Sequence, residues 1–441
     1  MGLRAIFILT IVAIGIYYTF RKPYFGLILF TLMTYIRPER LSYEQLRPFR
    51  LFLVVSICAL LAYIFNKTEQ ETLENHSKVV FWLFALAILK LLSTPFAVVS
   101  MEWSFKYATD FLKIAIFCYL MTKMLTSEDK VKWFLVANLI GVAFIALWGF
   151  EQHFRGNVRL EKVAGGNYAE SNAIGALFAQ FAPIFLSLFF VIKKKYRYVS
   201  LVMVFILIAD IIFTQSRAAL LGVVIGLFSF WLLVPLRIKA ALMIILVISM
   251  PWIKNAVVGT EGYVDRINRT IEEEHESGAD RVPIWIAGLH MVKDHPIIGV
   301  GQQNFQFLSK QYCINLGLKH SFRRLGDAHN LFLLTAAETG IFGFIALIAA
   351  FIYHFADIRY LKKAWLTDVE YSHYKPILIG LQGGMLAFMV CSMFHSLSIL
   401  ENLYWFLVVP GLMKNIYVAR KNQPAVDTGM VREEGPGIVY G

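Results

Sequence analysis
The chain has 441 residues, 58% of them hydrophobic and only 16% charged, with a formal net charge of +12. Its apolar residues fall into repeated runs of about 17 to 25, the length a bilayer core demands, so it reads as a polytopic membrane protein rather than a water-soluble one. In that setting the surplus of Lys and Arg argues for basic cytoplasmic loops and anionic lipid headgroups, not for nucleic acid.

Taken in chain order, the runs lie near residues 3–20, 23–36, 49–65, 79–99, 107–121, 132–150, 173–192, 196–214, 217–234, 238–253, 329–355, 376–398 and 401–418. This predicts an all-α protein of about twelve or thirteen transmembrane helices. The first run lacks a small-residue cleavage site and is expected to remain as an anchor. Cys58, Cys118, Cys313 and Cys391 form no evident disulfide framework and are expected to pack. Basic loops at 193–197, at Arg237 and Lys239, and at 359–363 mark the cytoplasmic side. Counted from these, the loops at 151–172 and 254–327 face outward, as does the one carrying Arg37, Arg40, Arg47 and Arg50. The expected organisation is therefore helices over 1–150, helices with the first outer loop over 151–253, a large outer loop over 254–327, helices over 328–418 and a cytoplasmic tail over 419–441.

The outer loop of about seventy residues is too long for a plain connector. Asp280-Arg281-Val282-Pro283-Ile284-Trp285 reads as a helix start with Pro just inside it, the apolar pattern continues to Met291, and His295-Pro296 ends it. Gly299-Val300-Gly301 reads as a turn, too short for a nucleotide fingerprint. Residues 272–276 form an acidic patch, and no internal repeat is apparent.

Three polar positions converge on the outer face: Arg217 after Thr214-Gln215-Ser216, Arg281, and His329 within Gly326-Asp327-Ala328-His329-Asn330. Each has a plainer reading when taken alone. An Arg at a helix end snorkels to headgroups, and an interfacial or core histidine is common. Together they suit a different chemistry. Guanidinium groups grip phosphate oxygens bidentately, helix starts offer free N–H groups to an anion, and an imidazole held by Asp327 or Asn330 takes a proton from a hydroxyl. This is the equipment for transfer from a diphosphate-linked donor. Glu338 is expected to point into the bundle as a structural hydrogen-bonding group, and Asp210 needs a partner that the sequence does not name. No His-Glu-x-x-His, cysteine pair or Asp-x-Asp occurs, which disfavours a metal-dependent sugar transferase.

These residues resemble the O-antigen ligase and polymerase superfamily of bacterial inner-membrane glycosyltransferases. The resemblance rests on Ser216-Arg217-Ala218-Ala219-Leu220-Leu221-Gly222, on Arg281-x-x-x-Trp285 leading to Asp294-His295-Pro296-Ile297-Ile298-Gly299-Val300-Gly301-x-x-Asn304-Phe305, and on Ala328-His329-Asn330-x-x-Leu333 with Glu338-x-Gly340. A looser match is Asn172-Ala173-Ile174 with Pro183. Arg21-Lys22-Pro23 and residues 35–41 look like the exosortase-associated O-glycosylation ligase branch. The resemblance implies a glycosyltransferase C-like fold and a metal-independent, inverting transfer of glycan without a cofactor. The donor would be undecaprenyl diphosphate-linked glycan and the acceptor a hydroxyl, on lipid A-core or elsewhere, at the periplasmic face of the inner membrane. Arg217 and Arg281 would hold the diphosphate, His329 would act as base, and Ser216, Asp327, Asn330 and Arg159 would support them. Polymerase, protein O-oligosaccharyltransferase and lipid-linked glycan transporter are the rival expectations.

Overall fold
The computed structural model describes residues 2–42, 45–66, 77–163, 166–231, 281–318 and 326–422. The expected span at 238–253, Arg237 and Lys239, the patch at 272–276, all of the outer loop before Arg281 and residues 423–441 of the tail lie outside them. All regular structure among the described residues is helical. In chain order the helices are α1 (Leu3–Arg21), α2 (Tyr24–Ile36), α3 (Pro38–Leu41), α4 (Leu51–Phe65), α5 (Lys78–Ser93), α6 (Met101–Met124), α7 (Glu128–Phe154), α8 (Ser171–Val191), α9 (Arg197–Thr214) and α10 (Arg217–Phe228). They are followed by α11 (Arg281–Asp294), α12 (Phe305–Asn315), α13 (Leu331–Thr367), α14 (Val369–Ser372), α15 (Lys375–Ser392) and α16 (Glu401–Asn422). Every apolar run that falls on described residues coincides with a helix. Among the described residues, 8 helical segments are long and apolar enough to cross a membrane. The helices α2 and α10 are apolar but shorter.

The boundaries depart from the hydropathy reading in several places, three of which bear on the site and its supports. The helix expected over 107–121 runs from Met101 to Met124, because Ser100 accepts a hydrogen bond from Trp103 N at 3.3 Å and caps it earlier. The one expected over 329–355 continues to Thr367, so the basic residues at 359–363 are helical rather than looped. Buried Leu361 and Trp365 hold that extension to the bundle. The one expected over 376–398 ends at Ser392, and residues 393–400 form turns.

Two clusters of contacts define the two ends of the bundle. At one end Arg40 Nη1 donates to Val163 O at 2.7 Å, and Asn167 Nδ2 donates to Ile399 O and Glu401 Oε1, both at 3.0 Å. This gathers the 37–50 loop, the 151–172 loop and the α15–α16 connection on one side, as the expected topology requires. At the other end Arg420 bridges Glu128 and Glu370, while Lys421 pairs with Asp368 at 2.8 Å.

The centre is α8, buried along most of its length and packed between α9, α10 and α15. A Cβ on Gly383 would stand 2.4 Å from Gly226 O, on Gly384 2.4 Å from Gln180 O, and on Gly222 2.8 Å from Ala387 O. Small residues therefore let these backbones touch, as in membrane bundles where apolar lipid leaves close packing as the main adhesive. This clamp fixes the start of α10, where Arg217 stands. Cys118, Cys313 and Cys391 are buried and all four thiols are free, in keeping with a packing role.

Helix α13 is broken near its start. Gly340 has φ 70 and ψ −173, outside helical geometry. The backbone groups released there are taken by the Gly299-Val300-Gly301 turn: Val300 N donates to Ala337 O at 2.9 Å, Gly301 N to Glu338 O at 3.1 Å, and Ile341 N to Pro296 O at 2.8 Å. Irregular backbone inside a bundle is tolerated where protein satisfies it in this way. Glu338 itself is buried and accepts from the backbone N–H groups of Gln303 and Phe305, facing the Lys90 ammonium. Lys90 Nζ in turn meets Gln302 Oε1 at 2.5 Å. The structural reading of Glu338 holds, with partners supplied by the loop rather than by its own helix. A Cβ at Gly340 would lie 2.2 Å from Ile297 O. Gly340→Ala is thus expected to cost at least about 1–3 kcal/mol from backbone strain alone, read as a lowered melting temperature of the detergent-purified protein.

Candidate active site
The site is assembled from five segments at the end of the bundle that carries the 151–172 loop. Chain reversal places two of them. Gln215 adopts φ 55 where α9 ends, and His329 itself adopts φ 47 just before α13. Left-handed backbone is costly for a residue with a Cβ and clusters at functional sites.

Ser216 caps α10, its Oγ accepting from Ala219 N at 3.4 Å, and Arg217 follows as the first helical residue with an exposed side chain. Asn330 caps α13 by accepting from Phe332 N and Leu333 N, each at 3.0 Å. The expectation that both helix starts offer free N–H groups to an anion is narrowed: the caps take Ala219 N at α10 and Phe332 N and Leu333 N at α13. The Asn330 side-chain oxygen is spent on that cap. Asp327 remains, with Oδ2 at 3.9 Å from His329 Nδ1, within ion-pair reach.

Arg281 is brought to His329 by α11. One turn further along that helix, Trp285 Nε1 donates to Ala328 O at 2.9 Å, tying α11 to the residue preceding the histidine. That bond gives the Arg-x-x-x-Trp spacing its physical reason. Beneath it Ile284, Met291, Val300, Phe305, Ala328, Leu334 and Ala337 form a small core of their own. Trp285→Phe keeps the ring and removes the donor. It is expected to cost about 1 kcal/mol of stability while lowering turnover several-fold, which paired melting and rate measurements would read.

The charges form one field. Desolvation lowers the Arg281 pKa from its ordinary value, and the neighbouring Arg217 charge lowers it further. Desolvation also lowers His329, with Asp327 and Glu170 pulling it up and Arg281 pushing it down. Arg159 is anchored beside them: Nη2 donates to Ser171 Oγ at 2.6 Å and Nη1 pairs with Glu161 at 2.8 Å. The structure thus brings Arg159, Arg217, Arg281, Asp327 and His329 to one region.

Two residues that sequence reasoning passed over also belong here. Glu170, at the cap position of α8, faces His329. His395, in the turn after α15, lies with its ring centroid 6.0 Å from that of His329, the planes at 88°. Its pKa is lowered to about 3 by desolvation and by Arg281, His329 and Arg159. The hydropathy run at 376–398 concealed it as one polar residue inside a span; only the helix end at Ser392 turns it toward the site. Asp210 lies apart, buried in α9, and both its carboxylate oxygens lack a hydrogen-bond partner among the described residues.

Residues 202–348, about a third of the chain, match the family model described as O-antigen ligase. The matched segment holds Arg217, Arg281 and His329. No curated protein sequence matches the chain. The family is one of glycosyltransferase-like ligases and polymerases, membrane proteins that join lipid-linked glycan to an acceptor.

Proposed function
We propose, from the match of residues 202–348 to the O-antigen ligase family model, that this multi-pass membrane protein is an inverting transferase that moves an oligo- or polysaccharide from undecaprenyl diphosphate to an acceptor hydroxyl. The observation that carries the reading is the convergence of Arg281, Asp327 and Glu170 on the His329 imidazole, with Arg217 beside Arg281 and Arg159 beside the neighbouring His395.

The step balances as follows. The acceptor oxygen attacks the anomeric carbon from the side opposite the diphosphate, and a new glycosidic C–O bond forms. The old C–O bond to phosphate breaks, and its electron pair leaves with the diphosphate. Arg217 and Arg281 offset the charge developing on that leaving group, with Arg159 as a third cation. The hydroxyl proton passes to His329, whose imidazolium is stabilised by Asp327 and Glu170. Because guanidinium groups meet the charge, the step as drawn needs no metal ion. The acceptor reaches the site from the periplasmic side of the inner membrane, to which the 151–172 and 254–327 loops are assigned.

The decisive experiment uses the full chain in proteoliposomes with radiolabelled polyprenyl diphosphate-linked glycan and a lipid A-core acceptor. Glycan on the acceptor, found by mass spectrometry, is the expected product. A lengthened carrier-linked chain would instead mark a polymerase, and glycan on protein a protein O-oligosaccharyltransferase. Movement of intact carrier across the bilayer with no new glycosidic bond would refute the transferase reading.

A further inference from the structure
We propose that His395 is a second imidazole of the site, which donates a hydrogen bond to the diphosphate as it departs. The inference rests on the transfer reading above and adds to it a residue outside the matched segment 202–348.

Three observations carry it. His395 is 7% exposed, none of the described residues hydrogen-bonds its ring, and its ring nitrogens are not among the sealed polar atoms of the bundle, so they open toward the site and are available to a ligand. Its ring stands edge to face against His329 at 6.0 Å, so a molecule within reach of one imidazole is within reach of the other. The charged and titratable groups that face it are Arg281 from α11, Arg159 from the 151–172 loop and His329 from the start of α13; no carboxylate is among them.

The two histidines are therefore set up for opposite tasks. His329 has Asp327 and Glu170 to stabilise its imidazolium. His395 faces two arginines and the His329 ring and stays neutral through the physiological range, which makes it a poor base. A neutral imidazole still carries one N–H, and an N–H aimed at a developing oxyanion in a desolvated site is strongly stabilising. An anion held by Arg281 and Arg159 is the complement of this position, because it supplies the acceptor that His395 lacks.

The substitutions are His395→Phe, which keeps the ring volume, and His395→Gln, which keeps an N–H donor. Both are measured in the proteoliposome transfer assay, with melting temperature and binding of the labelled carrier recorded in parallel. The Phe variant is expected to lose about a hundredfold in turnover with its melting temperature within a few degrees of the parent. The Gln variant is expected to recover a substantial part, and neither should move the acidic limb of the pH profile. Near-parental turnover in His395→Phe overturns the proposal, as does an acidic limb displaced by either substitution. Equal losses in both variants, matched by lowered melting temperatures, would make the residue structural and overturn it as well. The transfer reading fails separately, if the parent protein itself moves no glycan.

Discussion
His329→Ala removes glycan transfer, with a loss of at least about a thousandfold in turnover, while the protein remains folded and still binds the diphosphate carrier. The side chain is half-buried on a loop, and its backbone neighbours are held by Trp285 and by the Asn330 cap rather than by the imidazole. Truncation should therefore leave the helices in place. The pH dependence follows from the direction of the shift. A base works in its neutral form, and desolvation has lowered the His329 pKa below the ordinary 6.5. The rate should consequently be flat at neutral pH and fall only on the acid side of that value. In the Ala variant this acid limb should vanish from whatever residual rate remains. Full activity in purified His329→Ala would assign the proton transfer elsewhere.

Arg217→Lys and Arg281→Lys form the second large effect, each expected to lower turnover about a hundredfold or more. Lysine keeps the charge but replaces a planar fork by a point donor, so it cannot hold two oxygens of one phosphate at once. The plainer account of Arg217 is that it snorkels to headgroups, and in that case Lys would serve equally well. Parental turnover in Arg217→Lys would restore that account. The two substitutions should also be far from additive, because the guanidinium groups lie within electrostatic reach and act on one leaving group. A double variant hardly worse than either single one is the expected sign of joint action.

The helical segments were legible because burial in a bilayer demands long apolar runs, and hydropathy reads that demand directly. Their ends were less legible, since a span stops where capping and packing stop it. Ser100 begins α6 ahead of its apolar stretch. Buried Leu361 and Trp365 carry α13 past the basic residues. The turn at 393–400 escaped notice because Met393, Phe394, Leu397, Ile399 and Leu400 are as apolar as the helix before them.

Composition and local order thus determined that the chain is a helical membrane protein, that Arg217 and His329 stand at the boundary of an apolar run, and that Arg281 stands at a helix start in the outer loop. Those facts follow from polarity and nearest neighbours along the chain. Tertiary structure decided the rest, because it depends on contacts between residues far apart in sequence. The Gly299-Val300-Gly301 turn mends the break at Gly340, an interaction visible only once Val300 and Ala337 are seen bonded. Glu338 finds Lys90, some 250 positions away, and two loop N–H groups in place of a partner on its own helix. Ser216 and Asn330, both of the residue types that cap helices, are spent on capping. His395 enters the site because α15 stops at Ser392, and no local pattern links it to a histidine 66 residues earlier. Charge separates the roles of the two imidazoles: Arg281 faces both, but Asp327 and Glu170 approach His329 while Arg159 approaches His395, and only the folded chain sets which charges stand near which ring.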